Sequence, residues 1–63
     1  MKEEKFKKQF KKAHERCEGV AVHIGKSEIY ANDYEIRSDG IVKLYRNTIP
    51  VAHCDMSEIA SVD

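Results

Sequence analysis

The sequence predicts an α+β fold, with an N-terminal α-helix over residues 2–18 packed on a small antiparallel meander of about five strands. The meander is either an open sheet or curled into a small open barrel, and a short C-terminal helical turn follows it. Three observations carry this prediction. Residues 2–18 contain no Gly, Pro or β-branched residue, which suits a helix. From Val20 onward apolar residues alternate with polar ones, the period of a half-buried strand. Gly25, Asn32-Asp33, Asp39-Gly40 and Asn47-Thr48 then punctuate that alternation at turn spacing. At 63 residues the chain is one domain, and cores of this size rarely supply more than about 3–5 kcal/mol.

The helix carries Glu3 and Glu4 in its first turn and Arg16 near its end, the order that the helix dipole favours. Gly19 is placed to close it in a left-handed conformation. Its apolar residues Phe6, Phe10, Ala13 and Cys17 fall within an arc of roughly 60° at ~100° per residue. So narrow a seam suits a helix laid across a sheet better than one buried on several sides.

The strands are expected at residues 20–24, 28–31, 34–37, 41–46 and 49–54. Each hairpin is tested by asking which register keeps apolar residues on one face. A two-residue Asn32-Asp33 loop would set Ile29 opposite Ile36 and Ala31 opposite Tyr34. A three-residue Ser38-Asp39-Gly40 loop, with Gly40 left-handed, pairs Ile36 with Val42, Glu35 with Lys43 and Tyr34 with Leu44. A two-residue Asn47-Thr48 loop pairs Leu44 with Val51 and Val42 with His53, and a loop from Gly25 to Glu28 lets Ile24 face Ile29. The expected core face is Val20, Val22, Ile24, Ile29, Ala31, Tyr34, Ile36, Val42, Leu44 and Val51. After Cys54, Asp55 and Glu58 have capping-box spacing, which predicts a helical turn over residues 56–60, a sixth short strand being the alternative.

The opposite face then carries His23, Glu28, Tyr30, Glu35, Arg37, Ile41, Lys43, Tyr45, Pro50, Ala52 and Cys54. That is apolar for a solvated face, and Tyr30, Ile41, Tyr45 and Pro50 form the candidate protein-binding surface. Charge is segregated although 11 Lys+Arg balance 11 Asp+Glu. Residues 1–18 hold seven cations against four Glu, and residues 19–63 hold the reverse, four cations against seven acids. Lysines at i, i+4 repel one another in an isolated helix. Their clustering calls for an offset: the acidic meander of the same or a neighbouring chain, or a phosphate backbone. A solvated face that keeps the chain soluble is the plain alternative.

Several chemistries are disfavoured. The longest stretch free of Asp, Glu, Lys and Arg is Asn47 to Cys54, eight residues, against the roughly 20 of a membrane helix. The N-terminal region holds no apolar run of the kind a signal peptide needs. A basic helix with only two phenylalanines would bind an anionic membrane weakly. Cys17 and Cys54 are too few for a secreted disulfide framework, which predicts reduced thiols and a cytoplasmic protein. His14 and Cys17, with His53 and Cys54, invite a zinc reading, yet adjacent strand residues point to opposite faces. No metal or other cofactor is expected. His53, Cys54 and Asp55 bear the residue types of a nucleophilic triad but, being consecutive, cannot converge. The three glycines lie at turns, so no phosphate-cradling loop exists.

The expected function is therefore non-enzymatic: an interaction or regulatory module that binds a partner protein through Tyr30, Ile41, Tyr45 and Pro50 and that self-associates. The alternative is a nucleic-acid-binding small barrel. It would use Lys7, Lys8, Lys11, Lys12 and Arg16 on the helix, Lys43 on the sheet, and the sheet tyrosines for stacking. In its order, an N-terminal helix followed by about five short strands, the chain resembles the Sm-like RNA-binding proteins. This resemblance is one of topology and not of sequence motif.

Overall fold

The computed structural model describes residues 1–63. Helix α1 (Glu3–Arg16) is followed by β1 (Val20–Ile24), β2 (Ser27–Ala31), β3 (Asp33–Ile36), β4 (Ile41–Arg46) and β5 (Ile49–Asp55), then one 3-10 turn (Met56–Glu58) and β6 (Ile59–Val62). The strands form two antiparallel three-stranded sheets, in the orders β2-β1-β6 and β3-β4-β5. The helix lies mainly against β6 and β1.

The helix is shorter than its sequence pattern. It ends at Arg16, and Cys17 is already extended at φ −144°, its N–H donating to the Ala13 carbonyl at 3.1 Å. The chain leaves the helix extended, without a left-handed Gly19. Cys17 consequently falls outside the seam and is exposed, whereas Phe6, Phe10 and Ala13 are buried. Phe6 and Phe10 meet Tyr34 of β3 edge to face, at centroid distances of 4.9 and 4.7 Å. One narrow seam thus touches both sheets.

The expected β2–β3 hairpin does not form. A single residue, Asn32, separates the two strands, and each pairs away from the other, β2 with β1 and β3 with β4. Residues 27–36 behave as one strand bent at Asn32 and shared between the sheets. The side-chain faces survive this change because the corner at Asn32 breaks the alternation: Ala31 and Tyr34, three residues apart, both turn inward as the hairpin would have placed them, and Tyr30, Asp33 and Glu35 stay exposed. Between β1 and β2 the turn is Gly25-Lys26, with Gly25 at φ 58°, and Ile24 pairs with Ser27 rather than Ile29. The shift from the expected register is two residues, so the same side chains stay inside. The β3–β4 hairpin has the expected pairs Ile36–Val42, Glu35–Lys43 and Tyr34–Leu44, with Gly40 at φ 87°.

The β4–β5 ladder contains the largest correction. Arg46–Ile49 and Tyr45–Pro50 pair as expected, but Leu44 then pairs with Ala52 and Val42 with Cys54. Val51 is the extra residue of a bulge. Proline has no N–H to give to the ladder, and bulges are where a sheet accommodates it. A slip of one residue exchanges the faces. Val51 is 41% exposed, His53 faces solvent, and Cys54 joins the core at 7%.

The C-terminal segment supplies both expected alternatives in succession. Asp55 Oδ1 accepts from Ser57 N at 3.0 Å, and Glu58 Oε1 accepts from Asp55 N at 3.3 Å, closing a capping box. The chain then runs back as β6 alongside β1, so Met56, Ile59 and Val62 enter the core. Strand count therefore rises to six.

The bulge yields a test that exploits its parity. Val51→Lys should leave the urea unfolding midpoint near wild type, whereas Cys54→Lys should abolish the cooperative transition, since an unpaired buried ammonium exceeds what so small a core can offset. The unbulged register demands the opposite ranking.

Candidate functional site

The helix presents three surfaces. Around its axis, at ~100° per residue, Phe6, Phe10 and Ala13 face the sheets. Measured from Phe6, the helix carboxylates Glu3, Glu4 and Glu15 project between about 60° and 180°. Lys8, Lys12, Lys5, Arg16 and Lys2 follow between about 200° and 320°. All five of these cations are exposed. They form a cationic stripe that runs about 21 Å along the chain at 1.5 Å per residue, bordered at Lys8 by Glu4 and Glu15, with Glu3 and Glu4 lining one surface concavity with Lys2, Lys5 and Lys8. Lys11 projects near Glu4, and Lys7 pairs with Glu3 at 3.3 Å on the opposite flank. Such an exposed pair contributes little to stability.

The three ion pairs of the chain are Lys7–Glu3, His23–Asp63 and Arg37–Asp39. No helix cation meets an acid of its own meander. The expected offset within one chain is thus not what balances the lysines. Beside the stripe, Gln9 has its Oε1 buried with no hydrogen-bond partner, which carries a desolvation cost.

Of the residues expected on the sheet, Tyr30 is 52% exposed, Pro50 is exposed, and Ile41 and Tyr45 are half-buried. Tyr45 pairs with Pro50. Ile41 lies four residues further along β4, about 13 Å away, with half-buried Lys43 between them. Tyr45 and Pro50 are therefore brought together while Ile41 stands apart. The bulge adds what the sequence pattern missed: Ile49, 64% exposed, and Val51 flank Pro50 on β5. Strand β5 is bonded only to β4, and β6 only to β1, so each has an open edge. Neither strand carries a lysine or arginine; on β5 it is Pro50 and the Val51 bulge that blunt the edge.

A polar cleft of about 210 Å³ opens between the end of the helix, β2 and the β4–β5 turn. Glu18, Tyr30, Asn32, Arg46 and Asn47 line it. Its floor is fixed by the strand corner. Asn32 N donates to the Tyr45 carbonyl at 2.9 Å, Asn32 Nδ2 donates to Asn47 Oδ1 at 2.9 Å, and Asn47 N donates to Asn32 Oδ1 at 3.1 Å. Asn47 and Thr48 both have positive φ, 53° and 68°, as a two-residue hairpin turn of this hand requires. The Glu28 carboxylate beside the Tyr30 phenol raises its pKa.

Burial, followed by the nearby Glu58 and Asp55, raises the pKa of the Cys54 thiol, which keeps it protonated and poorly nucleophilic at neutral pH. His14 stacks on Phe10 at a centroid distance of 6.2 Å, and His53 is exposed. No three His, Cys, Asp or Glu side chains converge as metal ligands would. No helix is long and apolar enough to cross a membrane.

Asp55 is held below the usual carboxylate range, first by the backbone N–H of Ser57, then by the Ser57 hydroxyl. A folded-state pKa below the unfolded value of about 3.9 means that this contribution is complete above that value and is lost as pH falls through the folded one. Asp55→Asn should therefore unfold more readily than wild type at pH 7, and the gap should narrow toward pH 2, read by thermal melts across that range. An equal gap at all pH values would mean that the carboxylate charge is not what the cap uses.

No protein-family model, no curated protein and no solved structure matches the chain.

Proposed function

We propose that the chain is a non-enzymatic nucleic-acid-binding module that holds a single strand along the helix stripe Lys2, Lys5, Lys8, Lys12 and Arg16. The carrying observation is that stripe: exposed cations over about 21 Å, none of them in an ion pair with an acid of the helix or of the meander. Phosphates are the partner that a line of unneutralised cations suits, because each contact releases a condensed counterion. A single strand is favoured over a duplex because Tyr30 offers an exposed ring for an unstacked base. Lys7 and Lys11, on the acidic side of the helix, contribute less to this surface than Lys5 and Lys12.

The triple variant Lys5→Gln, Lys8→Gln, Lys12→Gln should bind a labelled single-stranded RNA more weakly. Its slope of log affinity against log salt should be shallower by about 2. All three side chains are exposed, so the fold should survive, as circular dichroism would show. Wild-type affinity that ignores salt would sink this reading.

A second reading, binding of a protein strand, is favoured by the open β5 edge with Ile49 and Val51 exposed beside Pro50 and Tyr45. The outer edge of β6, whose first carbonyl, that of Ile59, already accepts from the Met1 ammonium at 3.3 Å, offers the other half of such a pairing, so a further copy of the chain is the simplest occupant. Sedimentation of wild type should reveal assemblies larger than one chain, and Ile49→Lys with Val51→Lys should return them to monomers. A wild-type monomer at high concentration excludes self-pairing.

A further inference from the structure

We propose that the cleft between Glu18, Tyr30, Arg46 and Asn47 is a pocket for one unstacked nucleobase of the bound strand, an inference that rests on the function proposed above. Its space of about 210 Å³ corresponds to roughly seven waters and admits a planar base.

The wall chemistry narrows the ligand. Arg46 and Glu18 both line the cleft, and neither has an ion-pair partner in the chain, nor do they pair with each other. A free phosphate or an acidic ligand drawn to Arg46 would meet the Glu18 carboxylate. An apolar ligand would leave the guanidinium, the carboxylate and the Asn47 amide without partners, which is costly on desolvation. A nucleobase edge carries donors and acceptors side by side and no net charge, so it can answer a carboxylate and a guanidinium at once. Tyr30 supplies the ring face on which such a base stacks.

The cleft is also held ready rather than left to form on binding. Asn47 is tied to Asn32 by two hydrogen bonds of 2.9 and 3.1 Å. That clasp directs the Asn47 Oδ1 to Asn32 and leaves its Nδ2 free as a donor. Thr48, β-branched, is kept at φ 68° next to it, a conformation that such residues adopt only where their surroundings impose it. Glu18 follows Arg16 by two residues, so cleft and cationic stripe are separated by no more than about 7 Å of chain. One strand can therefore leave the stripe and enter the cleft within a nucleotide or two.

Fluorescence anisotropy of a labelled ten-nucleotide single-stranded RNA, titrated with the full chain at several salt concentrations, tests the assignment. Tyr30→Ala should weaken binding roughly 5- to 150-fold with an unchanged salt slope, and Tyr30→Phe should restore most of it. Arg46→Gln should weaken binding by about fivefold or more. A merely structural or electrostatic role would not give this pattern of lost affinity at constant slope with rescue by phenylalanine. If wild type binds with a steep salt slope while Tyr30→Ala and Arg46→Gln bind as well as wild type, the pocket assignment is overturned and the helix stripe stands. If wild type does not bind at all, both fall together.

Discussion

The contact of Phe6 and Phe10 with Tyr34 is the constraint on which the rest of the molecule depends. The two sheets are joined covalently through the bent strand at Asn32, and each alone is three short strands with too little apolar surface to stand by itself. The helix lies on β1 and β6 of one sheet, and its two rings reach Tyr34 of the other at 4.9 and 4.7 Å. Phe6 is fully buried there, a burial that contributes roughly 1.5–3 kcal/mol. In a domain of this size that is a large share of the total. Because the seam is only two rings and an alanine wide, the remaining helix surface is free to carry charge.

That freedom links packing to the proposed activity. A helix buried on several sides would have to interrupt its lysines with apolar residues. This one carries five cations in a row on one flank and its acids on the other, while the sheets hold the third side. The corner at Asn32 has a comparable double effect. It bends residues 27–36 from one sheet into the next, and its amide clasps Asn47 in the β4–β5 turn. The clasp fixes both walls of the cleft with the same bonds that close the fold.

Much of the fold was legible because hydrophobic parity is robust. The helix, the strand positions and the core residues Val20, Val22, Ala31, Val42 and Leu44 follow from spacing alone, since errors of two residues in register leave every side chain on its own face. Val51 and Cys54 lie where parity along the chain ceases to report the face. A bulge shifts parity by one, and nothing local announces it except Pro50, a residue equally at home in an edge strand or a turn. The β2–β3 hairpin failed for a related reason: Asn32-Asp33 is good turn chemistry, yet one residue sufficed to bend the strand.

The candidate surfaces divide along the same line. The segregation of the helix cations from its carboxylates is already present in the spacing of Lys2, Lys5, Lys8, Lys12 and Arg16, and helical periodicity suffices to extract it. By itself, then, the sequence determined the helix, its narrow seam, the strand faces and the stripe of charge, all of which are properties of local periodicity. Only the tertiary structure decided that the lysines meet no acid of the meander, that Val51 rather than Cys54 lies outside, and that Glu18, Tyr30, Arg46 and Asn47 share one cleft. Those outcomes depend on which elements come together across long chain separations, and alternation along a strand or around a helix carries no record of its neighbours in space.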